Sequence, residues 1–317
     1  MHLRRLSIAA TLLVCFIAQA PLRAQQGAAK GPRLPATPPD LANVSYGPYE
    51  RNLFDLWKAK SSKPTPLVIY IHGGAFLKGD KSSLNRVLLA ACLKNGVSVA
   101  AITYRYSSQA IYPAPMADSA RAVQFLRLHA GEYNLNPKAF AATGGSAGAG
   151  ISLWIGFRDD MADPASDDPV KRQSTRLSSM AVSNCQTTYD PRTIATLINP
   201  ETGRHDALRR LFGVKPGDDS LTASYAFKLY EEGSAINYLT SDDPPVLLTY
   251  TRSKAPPAPG DTGTGIHHPR FGYLLKEKMD KLGIECIVRT KEDYDGKPLG
   301  QADLDMADFM LKHFPKD

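Results

Sequence analysis

Two uninterrupted apolar runs of strand length, PLVIYIH (66–72) and VSVAAITY (97–104), flank SSLNRVLLAACLKNG, whose apolar residues recur at helical spacing and which closes on Gly96. A strand that is apolar on both faces must be covered on both, and a parallel neighbour reached through a helix supplies that cover. The pattern then repeats. MADSARAVQFLRLHAGEY (116–133) reads as a helix, AFAATG (139–144) as a strand, and GSAGAGISLWIGF as a strand that turns sharply into a helix. PPVLLTYT (244–251) and IECIVRT (284–290) read as strands, residues 271–282 as a helix between them, and QADLDMADFMLKHF as a last helix. This alternation predicts an α/β fold with a mostly parallel central sheet covered by helices on both faces. Residues 158–240 break the rhythm. They are polar and carry several Asp, Pro and Gly around one strand-like run, SSMAVS (178–183), and are read as a lid or cap inserted in the sheet.

With 43% apolar and 22% charged residues, the chain can bury a full core, and one domain over 43–317 is expected. Ahead of it, MHLRR is basic and the following LSIAATLLVCFIA is apolar but too short to cross a bilayer, which predicts a signal peptide over 1–24 ending at Ala24. A periplasmic or secreted protein follows, with no stable membrane insertion once that segment is gone. QQGAAKGPRLPATPPDLA (25–42) has no apolar period and is expected to be a flexible leader. Removing residues 1–24 deletes Arg4, Arg5 and Arg23 and no acid, which takes the formal charge from +7 to +4. Basic residues form no aromatic-interleaved stripe, so nucleic-acid binding is not expected. Cys92, Cys185 and Cys286 sit in apolar segments without CxxC or CxxH spacing. No metal site is implied, and either buried thiols or one disulfide fits them.

The chemistry concentrates in two glycine-rich turns. A serine hydroxyl attacks a carbonyl only if it stands clear of the backbone and a base takes its proton. GGSAG (144–148) meets the first condition, because small residues at Gly144 and Gly148 permit a tight strand-to-helix turn that projects Ser146. HGGAF (72–76) ends another strand about seventy residues upstream. There Gly73 and Gly74 let the backbone approach a substrate, and their N–H groups with that of Ala147 are expected to form an oxyanion hole. His72 is read as a structural residue that holds this loop. No phosphate-cradling loop, dinucleotide fingerprint or metal-ligand spacing appears, so no cofactor is implied.

Taken with their surroundings, these turns resemble the bacterial carboxylesterase and feruloyl- or acetyl-esterase branch of the α/β-hydrolases, near the hormone-sensitive-lipase type. The likeness lies in HGGAFLKGDK, ITYRYS and YPAPMADSARAVQFLRLHAGEYNLNPKAFAATGGSAGAG, and it is close over residues 66–150 and loose beyond 155. It implies a lidded α/β-hydrolase fold and a serine ester hydrolase acting through an acyl-enzyme on small or plant-derived esters. It also implies a triad running Ser, then an acid after the next-to-last strand, then a His after the last.

The last member of that order is missing. KEDYDGKPLG follows the final strand with no histidine. Of seven histidines, His2 lies in the signal, His72 in the glycine loop, His129 in a helix and His313 at the end of the last helix, which leaves His205 in the polar insert and the pair in GIHHPRF. The pair follows the strand PPVLLTYT, where it faces the elbow across the carboxyl edge of the sheet. We therefore expect His268 or His267 to supply the base, oriented by Asp261 in the same loop or by Asp293 or Asp295 in the next. If neither reaches Ser146, the chain is a binding protein on a hydrolase scaffold. A peptidase of the same fold is the third reading, ranked lower because no N-terminal propeller precedes the domain.

Overall fold

The computed structural model describes residues 36–316, so the segment read as a signal peptide and most of the expected leader lie outside the described residues. Eight strands, β1 (Leu41–Ser45), β2 (Leu53–Trp57), β3 (Thr65–Ile71), β4 (Ser98–Ile102), β5 (Leu135–Gly145), β6 (Met180–Ser183), β7 (Val246–Thr249) and β8 (Cys286–Arg289), form one sheet. Its order is β1-β2-β4-β3-β5-β6-β7-β8. From β4 to β8 every pairing is parallel, while β2 joins β4, and β1 joins β2, antiparallel. The connections hold α1 (Arg86–Lys94), α2 (Ala114–Leu128), α3 (Ala130–Tyr133), α4 (Ala147–Phe157), α5 (Pro191–Leu197), α6 (Pro200–Gly203) and α7 (Asp206–Leu211). Then follow α8 (Phe227–Gly233), α9 (Thr262–Gly265), α10 (Arg270–Lys281), α11 (Lys291–Tyr294) and α12 (Gln301–His313).

Alternate side chains of a strand point to opposite faces, and the core divides accordingly. Leu67, Ile69 and Ile71 of β3 join Met116, Val123, Ile151 and Leu275 on one face. Val68 of β3 and Val99 and Ala101 of β4 join Leu88, Cys92, Phe309 and Met310 on the other. The helix after the elbow is buried along its whole length, as its apolar sequence requires, and its one hydroxyl, on Ser152, donates to Gly148 O at 2.8 Å. Gly148 makes that burial possible, since a Cβ there would stand 2.0 Å from the carbonyl oxygen of Ile71. Cys92, Cys185 and Cys286 are buried free thiols.

Two features depart from the sequence reading. The antiparallel pair β1–β2 was not anticipated, and β1 begins at Leu41, inside the stretch read as leader. Its anchoring is specific: Trp57 Nε1 donates to Thr37 O at 2.8 Å, and Lys58 N–H donates to Asp40 Oδ2 at 2.7 Å. The interval 158–240 is also not one unit. Its first part is strapped along α2, where Gln124 Nε2 donates to Gln173 O at 2.8 Å, Arg127 donates to the carbonyls of Ser174 and Arg176, and Arg121 pairs with Asp168. Met180–Ser183 then enters the sheet between β5 and β7. Only the stretch after β6 contributes to the cavity beside Ser146.

Candidate active site

Strand β5 ends at Gly145 and α4 starts at Ala147, so Ser146 alone carries the turn between them, with φ 52° and ψ −117°. Backbone sterics disfavour that combination for any residue with a side chain, and such strain persists only where the surroundings enforce it. Here Ser146 N–H donates to Ser183 O at 2.9 Å, and Ser146 O accepts from Gly150 N–H at 3.0 Å. The hydroxyl consequently projects from the carboxyl edge of the sheet.

It meets His267. Ser146 Oγ lies 2.9 Å from His267 Nε2, while His267 Nδ1 lies 2.9 Å from the carbonyl oxygen of Gly263. A carbonyl can only accept, so Nδ1 carries the proton and Nε2 presents its lone pair to the serine hydroxyl. Burial lowers the His267 pKa below the usual histidine value, the Gly263 bond opposes that, and the charges of Arg252 and His205 add to it. The neutral form able to take a proton is thus favoured. Gln186 steadies the loop, its Nε2 donating to Ile266 O at 2.6 Å and Asn184 O at 3.0 Å.

The other expected triad members go elsewhere. His268 is buried, donates from Nε2 to Ala255 O at 3.0 Å and accepts Arg270 N–H on Nδ1 at 3.1 Å. Both ring nitrogens are spent on backbone at the start of α10, so His268 is excluded as the base in this arrangement. Asp261 caps α9 by accepting Thr264 N–H at 2.9 Å. Asp293 accepts from Thr290 in a capping box, and Asp295 pairs with Lys291 at 2.7 Å. Among the described residues no carboxylate contacts His267; the group on its Nδ1 is main chain.

On the facing loop, Gly74, Ala75 and Phe76 all have positive φ, at 113°, 58° and 62°. Gly74 is needed there, because a Cβ would lie 2.0 Å from Lys78 O. Gly74, Ala75 and Ala147 line the cavity with Ser146, whereas Gly73 packs beneath the elbow, where an added Cβ would sit 2.6 Å from Gly145 O. Ala147 opens α4, so its N–H has no intrahelical acceptor. His72 braces the loop. It is buried, stacks on Tyr104 with ring centroids 4.3 Å apart, donates from Nδ1 to Gly73 O and accepts from Arg51 at Nε2. Burial pushes its pKa down to about 4, which keeps it neutral.

The cavity measures about 350 Å³, with Phe76, Tyr189, Ala207, Leu208 and Ile266 as its apolar wall. His205, the histidine of the polar insert, stands in the same wall, with Nδ1 accepting Ala207 N–H at 3.2 Å at the start of α7. Ala75, Gln186 and Tyr189 were missed from sequence. The last two follow β6, and residues beyond the carboxyl ends of parallel strands are where such sheets place ligands, a signal the sequence did contain. The Gly263 carbonyl has no sequence signature at all.

Comparison with known proteins bears on the family and the fold. The chain is 26% identical over 215 residues to the probable carboxylic ester hydrolase LipM of Mycobacterium tuberculosis, covering 67% of this chain and 47% of that protein. It is 34% identical over 95 residues to an acetyl esterase of Salmonella schwarzengrund, 29% of each chain. The chain thus spans about half the length of its Mycobacterium relative. Among solved structures, a truncated carbohydrate esterase from gut microbiota matches with a TM-score of 0.64 at 21% identity, over 86% of this chain and 95% of the other. An acetyl ester-xyloside bifunctional hydrolase from Caldicellulosiruptor lactoaceticus matches with a TM-score of 0.66 at 18% identity, over 87% and 97%. Both likenesses are of fold. The BD-FAE family model matches residues 54–254, from β2 past β7 and ending ahead of His267. On that match the chain belongs to the BD-FAE family and has the α/β-hydrolase fold.

Proposed function

We propose that the chain is a serine carboxylic-ester hydrolase working through an acyl-enzyme on Ser146. The observation that carries this reading is the 2.9 Å contact between Ser146 Oγ and His267 Nε2 at a strained elbow facing the glycine loop of Gly74 and Ala75. As Oγ attacks the ester carbonyl carbon, its proton passes to His267 Nε2. The carbonyl π electrons move onto oxygen, and the amides of Gly74, Ala75 and Ala147 receive that charge. Collapse of the intermediate breaks the bond to the alcohol, which leaves with the proton from Nε2. Water then repeats the sequence against the acyl-enzyme and frees the acid. The Gly263 carbonyl holds the imidazolium through Nδ1–H, as a dipole where a triad acid would place a full charge.

The esterases among its relatives support small-molecule esters as substrates, and the carbohydrate esterases among its fold neighbours extend this to acylated sugars and plant-derived esters. The stretch from β6 to α7 serves as the lid that shapes the acyl site. The serine–imidazole contact weighs against a binding protein on a hydrolase scaffold. Action outside the cytoplasm is part of the proposal and rests on residues 1–24 alone.

The test is hydrolysis of 4-nitrophenyl acetate and butyrate. Ser146→Ala and His267→Ala are each expected to lower kcat/KM by about 10³-fold or more, and a fluorophosphonate probe is expected to label Ser146. A Ser146→Ala enzyme within tenfold of wild type overturns the proposal.

A further inference from the structure

Every polar side chain in the cavity wall is cationic, neutral or a hydroxyl. Lys78, His205 and Gln186 stand there with Ser146 and His267, and no carboxylate does. The acids on the adjoining segments are engaged elsewhere: Asp206 pairs with Arg210 at 2.6 Å, Asp190 with Arg192 at 2.5 Å, and Asp261 and Asp80 cap short helices. Lys78 has no acidic partner among the described residues. Its backbone is fixed, because Gly74 O accepts from both Leu77 N–H and Lys78 N–H, at 3.0 and 3.1 Å. Lys78 is itself exposed, so its ammonium group, on a flexible stem, reaches the cavity from the solvent side of the loop that carries Gly74 and Ala75.

A positive charge left without a counterion beside an apolar wall favours a ligand that is apolar along one side and anionic at one end. We propose that Lys78 selects esters bearing a carboxylate, with the apolar part of the substrate lying against Phe76, Leu208 and Ile266. This rests on the ester-hydrolase reading. The carboxylate belongs either to the acyl chain or to the alcohol, and two substrate pairs distinguish these sources.

For the acyl side, 4-nitrophenyl hemiadipate is compared with 4-nitrophenyl hexanoate; for the alcohol side, 4-(butyryloxy)benzoate is compared with its methyl ester. Each kcat/KM is normalised to the ester's own rate with hydroxide. One anionic ester is expected to be preferred by about fivefold, the upper scale of a solvent-accessible ion pair, with the preference shrinking between about 0.01 M and about 0.5 M salt. In Lys78→Gln the ratio is expected to fall to about one, and in Lys78→Glu below one. No preference in either pair, or one that survives Lys78→Gln, overturns the proposal.

A binding measurement separates its failure from that of the hydrolase reading. Monomethyl adipate for the acyl side and 4-(butyryloxy)benzoate for the alcohol side are each titrated calorimetrically into Ser146→Ala and into Ser146→Ala/Lys78→Gln. A Kd about fivefold weaker in the second variant, for either ligand, supports the carboxylate site even if no ester is turned over. Equal Kd values in the two variants, or no binding, for both ligands sink it.

Discussion

Asp261→Asn tests whether the histidine works without a carboxylate. In a Ser-His-Asp triad, neutralising the acid lowers kcat by about 10⁴, because the imidazole loses its tautomer and the partner of its positive form. In this chain the Asp261 carboxylate accepts Thr264 N–H at 2.9 Å, and the Gly263 carbonyl fixes the tautomer at 2.9 Å. Asparagine caps a helix about as well as aspartate, so α9 and the carbonyl at its start stay in place. The expected kcat/KM of Asp261→Asn for 4-nitrophenyl acetate is within about threefold of wild type across the pH range. Asp261→Ala removes the cap, frees the turn that presents Gly263, and is expected to be the slower of the two. A loss of about 10³ or more in Asp261→Asn would show that this carboxylate swings onto His267 during turnover, and the dyad argument would be wrong.

The pH dependence and the seating of α9 supply two further expectations. Because burial lowers the His267 pKa, raising the pH should bring kcat/KM up along a limb centred below about 6.5, flat through neutrality; a limb centred above 7 would mean that a negative group stabilises the imidazolium. Gly265 lies two residues before the base, and a Cβ there would stand 2.1 Å from the buried Thr202 Oγ1, so Gly265→Ala should cut kcat at least about tenfold. Adding Thr202→Ala should restore much of it, since neighbouring changes that share one clash are not additive, whereas additive losses would place the defect elsewhere.

The sequence was most informative where one physical demand dictates residue type. Strands buried on both faces must be apolar throughout, so β3 and β4 stood out, and a turn carrying an exposed hydroxyl must be lined with small residues, so Ser146 stood out. By contrast, β1 is half exposed and short, LANVS reads as coil by composition, and its place is set by pairing with β2 and by the Trp57 and Asp40 anchors. The histidine pair was visible in GIHHPRF, but the choice within it was not. Adjacent residues point in different directions, and the one-turn helix α9 with its Asp261 cap decides that His267 faces Ser146 while His268 turns back to Ala255. Asp261 was assigned an orienting task because its position suits an acid; a cap on a four-residue helix competes for the same carboxylate, and composition cannot rank the two. Gly73 was expected to line the oxyanion hole. In the structure Gly73 packs beneath the elbow, while Gly74 and Ala75 line the cavity beside Ser146, in a loop whose tight turn runs from Gly74 to Lys78.

The main-chain oxygen of Gly263 has a consequence for how such a site tolerates change. An orienting aspartate is lost by a single codon change, but a peptide carbonyl is encoded at every position and no replacement at 263 removes it. What can be lost is its aim. Damaging variants should therefore fall on the residues that shape the loop, Asp261, Gly265 and Gln186 among them, while the residue whose atom makes the contact stays comparatively free to vary.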